Sequence, residues 1–197
     1  MNDPIYETVI TTVAPDGRVH VAPMGVRYAG ELVVLMPFKP STTLDNVLAG
    51  GHAVLNVVTD TRVFAGCVTG RRAWPTVAAE CIAGQRLACA LNHVELELVE
   101  HRDDAQRPVL RLARVHAATH APFIGLNRAQ AAVVEGAVLV SRLHMLPVDK
   151  IETEMKYLQI AIDKTAAAPE HEAWGWRREA VDAHRVKVEA VAGKGAR

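Results

Sequence analysis

MPFKPSTTLDNVLAGGHAVLNVV, residues 36–58, is the stretch whose reading decides the fold. Two apolar runs, ELVVLMPF and HAVLNVV, each suit a strand covered on both faces. Between them lie a proline, a hydroxyl triplet of Ser41, Thr42 and Thr43, and a short helix-like segment closed by Gly50 and Gly51. Thr42 with Asp45 has the Thr-x-x-Asp form of a capping box. The triplet therefore has two readings. As a plain cap it contributes about 1 kcal/mol. As an anion cradle it uses the unpaired N–H groups and positive dipole end of a helix start, which a phosphate accepts. Lys39 adds a formal charge to that cradle, and Asp45 opposes it by repulsion. The pattern is not the glycine-rich Walker or dinucleotide fingerprint.

Upstream, IYETVITTV and RVHVAPMGV flank Pro15, Asp16 and Gly17, which suit a tight turn, so the two runs form a hairpin. Pro23 in the second arm predicts an edge, a bulge or a ligand-facing kink. Ala29-Gly30 marks a further turn. Downstream, RVFAGCVTG reads as one more strand ended by Gly70, and residues 71–93 carry no clear pattern. VELELVE, residues 94–100, alternates: Val94, Leu96 and Leu98 face in, Glu95 and Glu97 face out. HRDDAQRP and VLRLARVHA complete a second hairpin, and the spacing of short strands suggests an antiparallel barrel or sandwich.

From residue 127 the period changes. NRAQAAVVEGAVLVSRLHML reads as a helix capped by Asn127 and ended by Pro147. A second helix has Asp149 as cap, Glu152 at the capping-box position and an apolar stripe of Ile151, Met155, Leu158 and Ile162. A third starts after Pro169 and carries Trp174 and Val181. Strands followed by helices give an α+β chain, a barrel with a helical subdomain. The expected division is a barrel domain over 1–126, a helical subdomain over 127–190 and a flexible tail over 191–197.

Composition narrows the function classes. The chain has 197 residues, half of them apolar, and 22 basic residues balance 22 acidic ones. A general nucleic-acid binder usually shows a basic excess. No apolar run approaches the roughly 20 residues of a membrane helix, and MNDPIYETVI lacks the order of a signal peptide. A cytoplasmic protein is the default expectation. Cys67, Cys81 and Cys89 form no CxxC pair and read as reduced thiols. His116 and His120 have a helix-face spacing but lie at the end of a strand-like run, with no cluster of other ligands in sequence, so no metal site is expected. No GxSxG or other nucleophile–base signature is present.

The order APMGV, MPFKPSTTLDN, AVLNVV resembles the FMN-binding split barrel of flavin reductases and pyridoxamine-phosphate-oxidase-like proteins. With IYETVITT at the start and GLNRAQAAVVEGAVLVSRL in the helical part, the chain more closely resembles a family of archaeal and methylotroph flavoproteins of that superfamily, over roughly residues 4–165. The resemblance implies an antiparallel split β-barrel with FMN as cofactor. It implies that Ser41, Thr42 and Thr43 hold the FMN phosphate, with Lys39 and Asn46 nearby, and that Ala22, Met24 and Gly25 pass along the isoalloxazine ring. Asn56 would sit near the ring or the ribityl chain; its other reading is a buried amide satisfied by backbone. Arg128 would reach a phosphate or substrate, or else serve as a surface or ion-pair residue. Aromatic candidates to cover a site are few: Phe38, Phe64 and Phe123, with Trp174 and Trp176 cast either as cover or as core or dimer packing. The implied activity is an oxidoreductase in which FMN takes hydride from NAD(P)H and passes it to a small-molecule acceptor, conceivably pterin-related. A non-catalytic FMN carrier or sensor, or a structural partner protein without cofactor, are the alternatives. The resemblance also implies a homodimer.

Overall fold

The structure is a computed structural model that describes residues 4–125 and 127–195, with side chains to residue 190. The strands are β1 Tyr6–Val13, β2 Val19–Ala29, β3 Leu32–Leu35, β4 His52–Val57, β5 Thr76–Ala78, β6 Gln85–Leu87, β7 Asn92–Arg102 and β8 Val109–Thr119. Six of them close an antiparallel barrel in the order β1-β2-β3-β8-β7-β4, with β4 returning to β1; β5 and β6 form a separate two-stranded sheet. Helix α1, Thr42–Gly50, lies between β3 and β4.

Each barrel strand contributes alternate apolar residues to one core. Ile10, Leu35, Leu55, Leu96, Leu110 and Leu112 are buried there, and Leu44 and Val47 of α1 pack into the same cluster. Each such side chain contributes about 1.5–3 kcal/mol of burial. The β1–β2 hairpin turns where Gly17 adopts φ 86°, and Ala14 N–H donates to Arg18 O across it. Gly51 ends α1 in the left-handed region, φ 74°, and its N–H donates to Val47 O.

Pro23 does not interrupt β2. It pairs with Val9 in an unbroken β1–β2 register from Tyr6↔Val26 to Val13↔Val19. The β2–β3 ladder covers only Val26 to Ala29, so Pro23 sits on a free edge where its missing N–H costs no pairing.

RVFAGCVTG is a helix, not a strand: α2 spans Arg62–Val68. Asp60 accepts from the Arg62 backbone N–H and guanidinium at its start, and Thr69 Oγ1 donates to Ala65 O at its end. Short apolar runs with a β-branched residue at each end do not separate helix from strand by periodicity.

The chain divides into two compact units. The first comprises the residues up to Thr59 and Arg72–Ile124, the barrel with its small sheet; the second comprises Asp60–Arg71 and the residues from Gly125 on. The second unit is helical: α2, α3 Arg128–Ser141, a 3-10 turn Leu143–Met145, α4 Val148–Thr165 and α5 Ala168–Gly195. Asn127 caps α3, its Oδ1 accepting from Ala129 and Gln130 N–H. Helix α4 begins at Val148 directly after Pro147, so Asp149 falls in its first turn and is not its cap. Ile151 and Ile162 are buried, and Met155 and Leu158 pack beside them. Helix α5 begins at Ala168, two residues earlier than the sequence suggests, and carries Pro169 in its first turn. Trp174 is buried among α2, α3 and α4 residues, and its Nε1–H donates to Gln159 Oε1 at 2.7 Å. Trp176 packs against the same cluster, with the Arg71 guanidinium 4.2 Å from its ring centroid. The expected tail at 191–197 falls where only the backbone to Gly195 is described. No helix among the described residues is long and apolar enough to cross a membrane.

Candidate functional site

The hydroxyl triplet is divided by the helix that follows it. Ser41, with φ −145° and ψ 115°, is the N-cap of α1, and its Oγ accepts from Leu44 N–H at 3.2 Å. The cap is thus one residue earlier than Thr42, and Asp45 lies outside the capping-box position. Thr42 is the first helical residue and is exposed, whereas Thr43 is 1% exposed. Asn46 is buried, and its Nδ2 donates to Thr12 Oγ1 at 3.0 Å, tying α1 to β1.

Lys39 pairs through Nζ with the Asp103 carboxylate, and its backbone N–H donates to Gln106 O. Hydrogen bonding from Lys39 holds the Asp103 carboxyl below its ordinary value. A second cation stands beside it. The Arg107 guanidinium lies 4.3 Å from the Phe38 ring centroid, and its Nη2 donates to Met36 O at 3.4 Å. Its Nε is buried with no hydrogen-bond partner among the described residues. Sequence reasoning missed Arg107 because it belongs to the polar loop before β8, far from the triplet along the chain.

Ala22, Met24 and Gly25 are half-buried on the free edge of β2, opposite Ile10, Thr8 and Glu7. Thr8 Oγ1 donates to Met24 O at 2.9 Å. A Cβ at Gly25 would lie 2.6 Å from Ile5 Cγ2, so a larger residue there has to displace the half-exposed Ile5 side chain. Asn56 is 0% exposed. Its Nδ2 donates to Val9 O, Thr11 Oγ1 and Val54 O at 3.1, 3.1 and 3.2 Å, and its Oδ1 accepts from Leu87 N–H at 2.7 Å. The amide links β1, β4 and β6. Pro23 and Asn56 both stand opposite Val9, one on each side of β1. The fold therefore gathers Lys39 to Asn46 at the start of α1, and Ala22 to Gly25 with Asn56 around β1. Arg128 belongs to the helical unit, exposed at the start of α3 on a groove of about 370 Å³ shared with Glu135, Tyr157 and Ile160.

A separate polar cluster lies on β7 and β8. Glu95, expected to face out, is 0% exposed, as is His93. Three backbone N–H groups of a loop, from Glu80, Cys81 and Ile82, donate to the Glu95 carboxylate at 2.6–2.9 Å. Burial raises the Glu95 carboxyl, but these hydrogen bonds and the one from His93 outweigh it and hold it below its ordinary value. His93 Nε2 stands 3.1 Å from Glu95 Oε1, and His93 Nδ1 stands 2.9 Å from His120 Nε2.

A closed six-stranded antiparallel barrel with a short helix between its third and fourth strands, followed by a helical unit, is the split-barrel fold of flavin reductases with an added helical part. The chain belongs to the family described as protein of unknown function DUF447: the family's N-terminal domain matches residues 6–121, and its second part matches residues 127–179. Among solved structures, it is similar to an FMN-bound protein of that family from Methanosarcina mazei, with 24% identity, a TM-score of 0.78, and coverage of 91% of this chain and 96% of that one. The 2-nitrobenzoate 2-nitroreductase of Pseudomonas fluorescens is similar at 20% identity and TM-score 0.53, covering 61% of this chain and 66% of that one. An FMN-binding protein of Thermus thermophilus, with bound 1-cyclohex-2-enone, is similar at 12% identity and TM-score 0.51, covering 60% of this chain and 71% of that one. No curated protein matches the sequence. At these identities the likenesses establish the fold.

Proposed function

We propose that the protein is an FMN-binding flavoprotein, and that it acts as an oxidoreductase carrying hydride from NADH or NADPH to a small-molecule acceptor. The observation that carries this reading is the fold likeness across 91% of the chain to a protein of the same family that is FMN-bound. The residues at the start of α1 suit a phosphate. Thr42 offers an exposed hydroxyl, and the N–H groups of Thr42 and Thr43 precede the first intrahelical acceptor. Arg107 adds a cation whose buried Nε has no hydrogen-bond partner among the described residues, and Lys39 stands on the segment leading into α1. In this reading Ser41 holds the helix start, Asn46 anchors it through Thr12, and Ala22, Met24 and Gly25 present the free edge of β2 to the flavin ring. Asn56 serves from behind, fixing β1 and β4 with its four hydrogen bonds.

When bound, FMN supplies the redox chemistry. The chain's task is to bind, orient and exclude water, so no side-chain nucleophile is required. A pterin-related acceptor rests on the family resemblance alone, and a homodimer on the same ground.

The test is a visible absorption spectrum of the purified protein, with the chromophore released on denaturation and identified, followed by anaerobic mixing with NADH and NADPH. A flavin spectrum, FMN on release and bleaching by a nicotinamide are expected. The variant Thr42→Ala should hold FMN about tenfold more weakly, the equivalent of one lost hydrogen bond to the phosphate. FMN bound tightly but never reduced makes the protein a carrier. A colourless protein that takes up no added FMN ends the flavoprotein reading.

A further inference from the structure

We propose that Glu80, His93 and His116 form a binding site for a divalent transition-metal ion such as zinc, with Glu95 as the positioning residue for His93. One donor atom from each of the three residues lies within 4.8 Å of the others. Ligands around one zinc ion lie at most about 4.4 Å apart, since zinc takes histidine nitrogen and carboxylate oxygen at about 2.0–2.2 Å, so a small side-chain adjustment brings the three onto one ion. The three come from separate parts of the chain: His93 from β7, His116 from β8, and Glu80 from the loop after β5. Strand pairing fixes two of them, because Glu95 stands opposite His116, and His93 lies two residues along the same face.

The proton arrangement favours a metal. The Glu95 carboxylate takes three backbone N–H bonds, which satisfy it as an anion. An ionised carboxylate only accepts, so the fourth bond, from His93 Nε2, needs the proton on that nitrogen. Nδ1 of a neutral ring then carries the lone pair. A carboxylate behind a histidine is the arrangement that orients metal-binding imidazoles, and an ion on Nδ1 takes the place of its 2.9 Å contact with His120 Nε2. His116 adds the second sign. Its Nε2 is buried and makes no hydrogen bond among the described residues, although Glu80 Oε2 lies 3.3 Å away. A buried ring nitrogen left without a partner is costly unless something else engages it. His120 stacks on His93, with ring centroids 5.0 Å apart and its Nε2 2.9 Å from Nδ1, and so borders the site. Three protein ligands leave a position for water or a small ligand, as in zinc sites that are not purely structural. Imidazole and carboxylate together suit zinc and its neighbours rather than calcium or magnesium.

The experiment is calorimetric titration of zinc chloride into the untagged full-length protein after chelator treatment, at pH 7. One equivalent is expected to bind. His116→Ala and Glu80→Gln each remove a ligand with no other hydrogen bond to lose through Nε2 or a buried partner, so they should fold as the parent does, checked by circular dichroism. Each should weaken zinc at least about tenfold, while His144→Ala, on the helical unit, should leave it unchanged. Zinc affinity equal in the parent, His116→Ala and Glu80→Gln would overturn the proposal, and so would a parent protein that binds no zinc.

Discussion

Asn56 shows what a single polar residue does inside the barrel. It is wholly buried, yet each of its hydrogen-bonding atoms is engaged, and through Leu87 it joins the small sheet to the barrel. Removing the amide would leave Leu87 N–H to find a new partner in a dry interior, while Thr11 Oγ1 keeps its donation to Gln85 O. An unsatisfied buried donor costs about 1–3 kcal/mol, and the cavity adds to that. Asn56→Ala should therefore lower stability by about 2–4 kcal/mol in urea denaturation. In the sequence this residue has two readings of equal weight. What separates them is the position of Leu87, which lies in the stretch that carries no legible pattern.

At the scale of elements, α1 turns on the identity of its cap. Ser41→Ala should cost about 1 kcal/mol of stability. Thr42→Ala should cost much less, because Thr42 is exposed and is the first helical residue. Chemical denaturation of the two variants side by side checks the order. The barrel was legible where pattern and chemistry agree. Gly17 in its positive-φ turn, the alternation of β7 at Leu96, and Gly51 at the end of α1 follow from local rules. The failures have physical causes too. Val63 to Val68 reads as a strand because a short apolar run has no period, and its helix is decided by packing on α3 and α5. Glu95 reads as solvent-facing because alternation reports only which side of the sheet a residue takes, while a loop from Glu80 to Ile82 covers that side. The His93 cluster is invisible in sequence, since β7–β8 register alone brings His116 to Glu95.

At the scale of the molecule, the wholly buried polar side chains Asn56, Glu95 and Arg177 are satisfied to different degrees. The barrel satisfies Asn56 and Glu95 with four bonds each. The helical unit buries Arg177 completely with one weak donation, from Nη1 to Ala132 O at 3.4 Å, and Nε and Nη2 have no partner among the described residues. Gly136 leaves the room: a Cβ there would lie 2.7 Å from Nη1. Burial pushes the Arg177 guanidinium down to about 9. In the unfolded chain it stays protonated to much higher pH, so between those values the unfolded state holds more protons and the folded state gains stability as pH rises. Below about 9 the folded unit carries the buried charge in full. Arg177→Met should raise stability at pH 7 by about 1–4 kcal/mol, and the advantage should shrink above about pH 9. Thermal melts of parent and variant at pH 7 and pH 10 give the comparison.

The excursion of α2 into the helical unit bears on how the chain is made. Residues 60–71 leave the ribosome before β5 to β8 do, but the helices that cover Ala65 and Val68 are α3 and α5, at the other end of the chain. During synthesis the barrel strands emerge around a helix that has nothing to rest on, and its apolar face waits for more than half of the chain. Neither unit is one continuous stretch, so a cut at the boundary near residue 125 does not yield two self-sufficient pieces. The earlier fragment carries an orphaned helix, and the later one lacks a wall of its own core.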